Sequence, residues 1–126
     1  MARILLAEDE PSVREFVTRA LQAATHEVVA VADGMEALQV LEATPPEEVP
    51  FDLLLTDIVM PHLDGIALAL KVTRDYPDMR VLMITGYPNE RQRAHNLDFL
   101  VHEVVAKPFT VDQICTAVKK VLTLDE

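Results

Sequence analysis

Short apolar runs alternate along this chain with stretches of helical spacing, and that alternation narrows the possible folds more than any other feature. The runs cover residues 4–7, 28–32, 53–56, 81–85 and 104–106. Their length, β-branched content and punctuation predict strands. Their unbroken hydrophobicity predicts burial on both faces, as in a parallel sheet. Between the first two runs, Val13, Phe16, Val17, Ala20, Leu21 and Ala24 follow the i, i+3, i+4, i+7 pattern behind Pro11, which suits a first helical turn. Ile114, Val118, Val121 and Leu122 make a similar stripe, and weaker helical stretches run over 35–43, 66–75 and 89–97. Strands alternating with helices predict βαβ crossovers, and so an α/β fold of five βα units around one sheet covered on both faces. The proline-rich, acidic segment 43–50 reads as a loop and is too short to link two domains. The expectation is one domain over residues 1–126.

Composition removes several classes of function. A hydrophobic share of 50% and a charged share of 25% are enough to fill a core. The balance of 11 Lys+Arg against 21 Asp+Glu leaves a net charge of −10, which repels phosphate backbones and anionic lipid. Neither direct nucleic-acid binding nor membrane binding is expected. The longest stretch free of charged residues, 81–89, is far shorter than the ~18 apolar residues of a membrane span. The opening apolar residues meet Glu8, Asp9 and Glu10 at once, which leaves no room for a signal peptide's apolar region. Cys115 is the single cysteine, so no internal disulfide forms and a cytoplasmic setting is expected. With only Gly34, Gly65 and Gly86, neither glycine-rich phosphate-binding motif can be written. His26, His62, His95 and His102 show no metal-ligand spacing.

The acidic residues fall where chemistry is expected. Ligands of doubly wound folds sit beyond the carboxyl ends of the strands. Glu8, Asp9 and Glu10 follow the first run, Asp57 ends the third, Thr85 and Gly86 end the fourth, and Lys107 and Pro108 follow the fifth. Two unit charges ~4 Å apart interact by roughly 4 kcal/mol at an effective dielectric of about 20, so clustered carboxylates call for cations. Lys107 supplies one, and a hard divalent ion such as Mg²⁺ suits the remaining oxygens. A carboxylate is also a recognised phosphoryl acceptor. Together these residues point to phosphoryl transfer, with Asp57 as nucleophile, Glu8 and Asp9 holding Mg²⁺, and Thr85 and Lys107 gripping the transferred oxygens.

Four segments then carry a resemblance to a known family. Leu6-Ala7-Glu8-Asp9-Glu10, Leu55 through Gly65, Ile84-Thr85-Gly86 and Ala106-Lys107-Pro108-Phe109 resemble, in order and spacing, the receiver domains of two-component response regulators. The resemblance spans the chain and implies a flavodoxin-like (βα)5 fold with strand order 2-1-3-4-5. It implies phosphorylation of Asp57 by a histidine kinase or histidine phosphotransferase. It also implies Mg²⁺ held by Glu8, Asp9, Asp57 and the Val59 backbone carbonyl, with Thr85 and Lys107 sensing the phosphoryl group. The opening nine residues and the run from Leu54 to Pro61 further resemble stand-alone alphaproteobacterial receivers that act in a cell-cycle phosphorelay and control regulated proteolysis. A downstream protein partner, such as a protease adaptor target, follows from that likeness.

Plainer readings stand beside each of these. Asp57 alone suits a turn before Pro61, and Glu8 and Asp9 suit the N-terminal cap and first turn of a helix. Thr85 and Lys107 suit ordinary strand ends, Gly65 suits a permissive backbone after Asp64, and Cys115 suits a small core residue. One departure from the family pattern concerns the position three before Lys107, where receivers often carry Tyr or Phe as a switch; here it is Val104. Tyr87 is the nearby candidate to replace it, and the segment after it has weak periodicity, as expected of a face that changes order on phosphorylation. Two other function classes remain open. A receiver-fold adaptor or phosphate shuttle would work without a phosphorylation-gated output. A haloacid-dehalogenase-like phosphatase would want a second Asp where Val59 stands.

Overall fold

A computed structural model describes residues 2–45, 51–86 and 101–123. Five strands, β1 (Arg3–Ala7), β2 (Glu27–Val31), β3 (Leu53–Asp57), β4 (Arg80–Thr85) and β5 (Glu103–Ala106), alternate with helices α1 (Pro11–Ala23), α2 (Gly34–Glu42), α3 (Gly65–Asp75) and α4 (Val111–Leu122). All strand pairs are parallel and the order is β2-β1-β3-β4-β5. The flavodoxin-like arrangement expected from the sequence is therefore present. The helix expected over 89–97, Tyr87 and residues 46–50 of the proline-rich loop lie outside the described residues.

The unbroken apolar runs have a simple cause. Successive residues of a strand point to opposite faces, and here each face of the sheet meets helices. Ile4, Leu6, Leu53, Leu55, Leu82 and Ile84 pack with α1 and α4. Leu5, Ala7, Leu54, Val81 and Met83 pack with α2 and α3. β3 is buried at all five positions. β2 departs from the expectation of a buried strand: only Val31 is buried, and Val29 is exposed. The physical reason is topological, since β2 lies at a sheet edge and has a neighbour on one side only. Phe16 also leaves its expected place in the core. It is 40% exposed and lies against Phe109, with ring centroids 6.1 Å apart.

Three helices start on side-chain caps, each satisfying a backbone N–H that the helix leaves orphaned. Asp33 accepts from the Glu36 N–H, Asp64 from the Ala67 N–H, and Thr110 exchanges bonds with Gln113 in a capping box. α1 has Glu10 at its N-cap position with no side-chain cap, so neither Glu8 nor Asp9 plays that part.

Candidate functional site

Strand register brings the acidic residues level. Ala7 of β1 stands beside Thr56 of β3, so Glu8 falls in line with Asp57 at the carboxyl end of the sheet. Asp57 pairs with Ile84, and Thr85 pairs with Ala106, so Thr85 and Lys107 each sit one residue further along the same rim. Backbone bonds extend the ladder past the strands: the Glu8 N–H donates to Val31 O (3.1 Å) and the Lys107 N–H to Thr85 O (2.7 Å). Thr85 is buried at the end of β4. Val59, 43% exposed, follows two residues after Asp57 in the β3–α3 loop.

Lys107 is the centre of charge. Its Nζ lies 2.8 Å from Asp57 Oδ2, 3.1 Å from Glu8 Oε1 and 3.4 Å from Glu10 Oε1. Burial would lower the ammonium's pKa, but hydrogen bonds and attraction from Asp57 and Glu8 outweigh it and raise the pKa well above the ordinary lysine value. Glu8 feels the opposite balance. Burial first, and the negative charge of Asp57 second, push its carboxyl up to about 7 despite the pull of Lys107. Its Oε1 accepts from Lys107 and from the Glu10 N–H. Its Oε2 is buried with no hydrogen-bond partner among the described residues.

That orphaned oxygen is the observation against which a metal can be tested. An unpartnered buried carboxylate oxygen carries the full cost of lost hydration. Glu8, Asp9 and Asp57 can each offer one oxygen such that all three lie within 4.8 Å of one another. A set of hard oxygens with one exposed member at its mouth fits a small divalent cation that keeps some of its water, as Mg²⁺ does. The donor set and the orphaned oxygen both fit such an ion.

The rim therefore gathers Glu8, Asp9, Asp57 and Lys107 in direct proximity, with Thr85 one register step away. Two features of the rim are new. Glu10 joins the Lys107 cluster, although its side chain is 59% exposed. His62, in the β3–α3 loop, pairs with Asp33 at the start of α2, with His62 Nδ1 2.9 Å from Asp33 Oδ2. Adjacency to Glu8 and Asp9 pointed toward the first contact. Nothing in the spacing of positions 33 and 62 pointed toward the second. The reason for Gly65 also differs from the one expected. No glycine among the described residues has positive φ, and what Gly65 provides is space: a Cβ there would lie 2.0 Å from the Asp57 carbonyl oxygen.

Comparison with known proteins agrees with this geometry. Residues 4–119 match the family described as Response regulator receiver domain. The response regulator receiver protein CpdR of Brucella abortus is 38% identical over 122 residues, covering 97% of this chain and 98% of that protein. The sensor kinase CckA of the same organism is 36% identical over 96% of this chain, which spans 12% of the kinase. Among solved structures, the response regulator TrrA of Thermotoga maritima, in complex with Mg²⁺ and BeF, superimposes with a TM-score of 0.81 at 30% identity, covering 96% of this chain and 99% of that one. On the match over residues 4–119 and the near full-length likeness to CpdR, the chain belongs to the response regulator receiver domain family.

Proposed function

We propose that this chain is a single-domain response regulator whose switch is phosphorylation of Asp57. The observation that carries the reading is the triad of a buried Asp57, a partly unsatisfied Glu8 and a Lys107 ammonium 2.8 Å from the Asp57 carboxylate. A phosphohistidine of a histidine kinase or histidine phosphotransferase is the donor. An Asp57 oxygen forms the new P–O bond as the P–N bond breaks, and the electron pair leaves with the imidazole, which takes up a proton. Glu8, Asp9, Asp57 and the Val59 carbonyl would hold Mg²⁺, whose chemistry when bound would be neutralisation of charge around the transferred group. Lys107 releases Asp57 and pairs with a phosphoryl oxygen, and the Thr85 hydroxyl holds another. Receiver domains work as phosphorylation-gated switches rather than by turnover of an external substrate, and an acyl phosphate at this rim biases surfaces nearby.

The output is contact with another protein. CpdR, a receiver protein matched along 98% of its own length, supports a receiver that signals without a second domain, and a protease adaptor target is the partner class in view. The likeness to part of a sensor kinase supports a place in a phosphorelay. Among the described residues no helix is long and apolar enough to cross a membrane. Membership of the receiver domain family is what supports a cytoplasmic setting. Intact-mass measurement after incubation with Mg²⁺ and a small acyl or amido phosphate tests the chemistry. One added phosphate on the wild type, lost with chelator and in Asp57→Asn, is the expected result. If folded wild type takes no phosphate from the small donor or from a phosphorylated histidine phosphotransferase, the proposal fails.

A further inference from the structure

Chain geometry just beyond Asp57 is unusual at one residue. His62 has φ of 69°, and the Leu63 N–H donates to Pro61 O at 2.8 Å, closing a three-residue turn around it. Such a turn with positive φ is rare for a residue with a Cβ and persists only where its surroundings enforce it. Two neighbours enforce it here. The loop returns to its own strand, where the Gly65 N–H donates to Ile58 O at 2.8 Å and Gly65 lies tight against the Asp57 carbonyl. The loop is also pressed on α2, because a Cβ on Gly34 would lie 2.5 Å from Leu63 O.

A side-chain hydrogen bond between His62 and Asp33 also joins these two segments. One Asp33 oxygen caps α2 through the Glu36 N–H at 2.9 Å, and the other accepts from His62 Nδ1 at 2.9 Å. The Asp33 side chain is 11% exposed, whereas that of His62 is 69% exposed. The Glu36 N–H first, and His62 second, hold the Asp33 carboxyl below its usual range, which keeps it an acceptor and assigns the proton to Nδ1.

We infer that Asp33 and His62 form a latch that positions the β3–α3 loop, and with it the Val59 backbone, for the site at Asp57. Both are positioning residues. The inference rests on the phosphoacceptor reading above, and it extends the working set to a residue pair on the α2 side of the rim. Partners that hold a metal's ligands in place commonly alter its affinity by about tenfold or more when removed.

The test separates the latch from ordinary stability. His62→Gly keeps the positive φ without strain and deletes the bond; Asp33→Ser keeps an N-cap oxygen for α2 but cannot reach His62. Isothermal titration with Mg²⁺ should give a Kd raised about tenfold in each variant, with the double variant no worse than either alone. Phosphorylation of Asp57 by a small donor at fixed subsaturating Mg²⁺ should slow in parallel. His62→Asn, which tolerates positive φ and carries a donor, should recover part of the loss. Melting temperatures that fall while the Mg²⁺ Kd and phosphorylation rate stay at wild-type values would overturn the latch and leave the phosphoacceptor reading standing. A wild type that neither binds Mg²⁺ nor takes phosphate would overturn both.

Discussion

His26 shows how a single side chain can make stability depend on pH. Its Nδ1 accepts from the Ala2 N–H at 3.1 Å, which requires the ring nitrogen to be unprotonated. Burial, and after it the positive chain terminus, lower its pKa below the ordinary value of 6.5. The folded chain thus binds this proton less readily than the unfolded one. The contribution to stability is complete above pH 6.5 and is lost as pH falls through the lowered pKa. Melting curves from pH 7.5 down to 5 should fall more steeply for the wild type than for His26→Asn. Equal slopes would remove His26 from the account. At Gly65 the cause is space rather than charge. A methyl group has to displace the Asp57 backbone, because the atom a Cβ would meet at 2.0 Å is the main-chain carbonyl oxygen rather than a flexible side chain. Gly65→Ala should cost roughly 3 kcal/mol or more in a denaturant titration, the upper end for overpacking. A change below about 0.5 kcal/mol, the usual range for surface substitutions, would mean the loop yields freely.

Helices carry the same logic at the scale of an element. α4 begins with a reciprocal capping box, in which the Gln113 N–H donates to Thr110 Oγ1 (3.1 Å) and the Thr110 N–H to Gln113 Oε1 (2.8 Å). It ends with Lys119 and Lys120 in the last turn, where cations oppose the helix dipole. Thr110→Ala should lower stability by about 1 kcal/mol with an unchanged denaturant slope. Asp64→Ala removes the acceptor of the Ala67 N–H at the start of α3 and should cost a similar ~1 kcal/mol. It differs in also loosening the β3–α3 loop, so it should weaken Mg²⁺ binding whereas Thr110→Ala should not. Titrating both variants with Mg²⁺ checks the contrast.

The charge distribution belongs to the whole molecule. Net charge is −10, and the rim concentrates part of it in Glu8, Asp9, Glu10 and Asp57 around a single described ammonium, Lys107. Mg²⁺ that binds only the folded chain should stabilise it by roughly 2.7 kcal/mol at a hundred times its Kd. Monovalent salt at equal ionic strength should do less, since screening reaches exposed charges better than buried ones. Thermal melts with Mg²⁺, with NaCl and with Asp57→Asn decide this. An Mg²⁺ response no larger than that to NaCl, or one retained in Asp57→Asn, would count against the metal site.

Much of this was legible in the order of residues. The apolar runs marked five strands because a parallel sheet between two helical layers needs apolar side chains on both strand faces. Glu8, Asp9, Asp57 and Lys107 could be placed at one rim because parallel strands end their carboxyl termini on the same edge, and the receiver resemblance rests on those same positions. Local periodicity could not say which strands would be edges, so the exposure of β2 and of Phe16 was decided by packing. Periodicity was equally silent on Asp33 meeting His62 across 29 positions of chain. Contacts of that kind depend on the distance and orientation of two separately folded segments. A one-dimensional pattern holds no such information, whereas strand ends and apolar faces repeat along the chain and can be read from it.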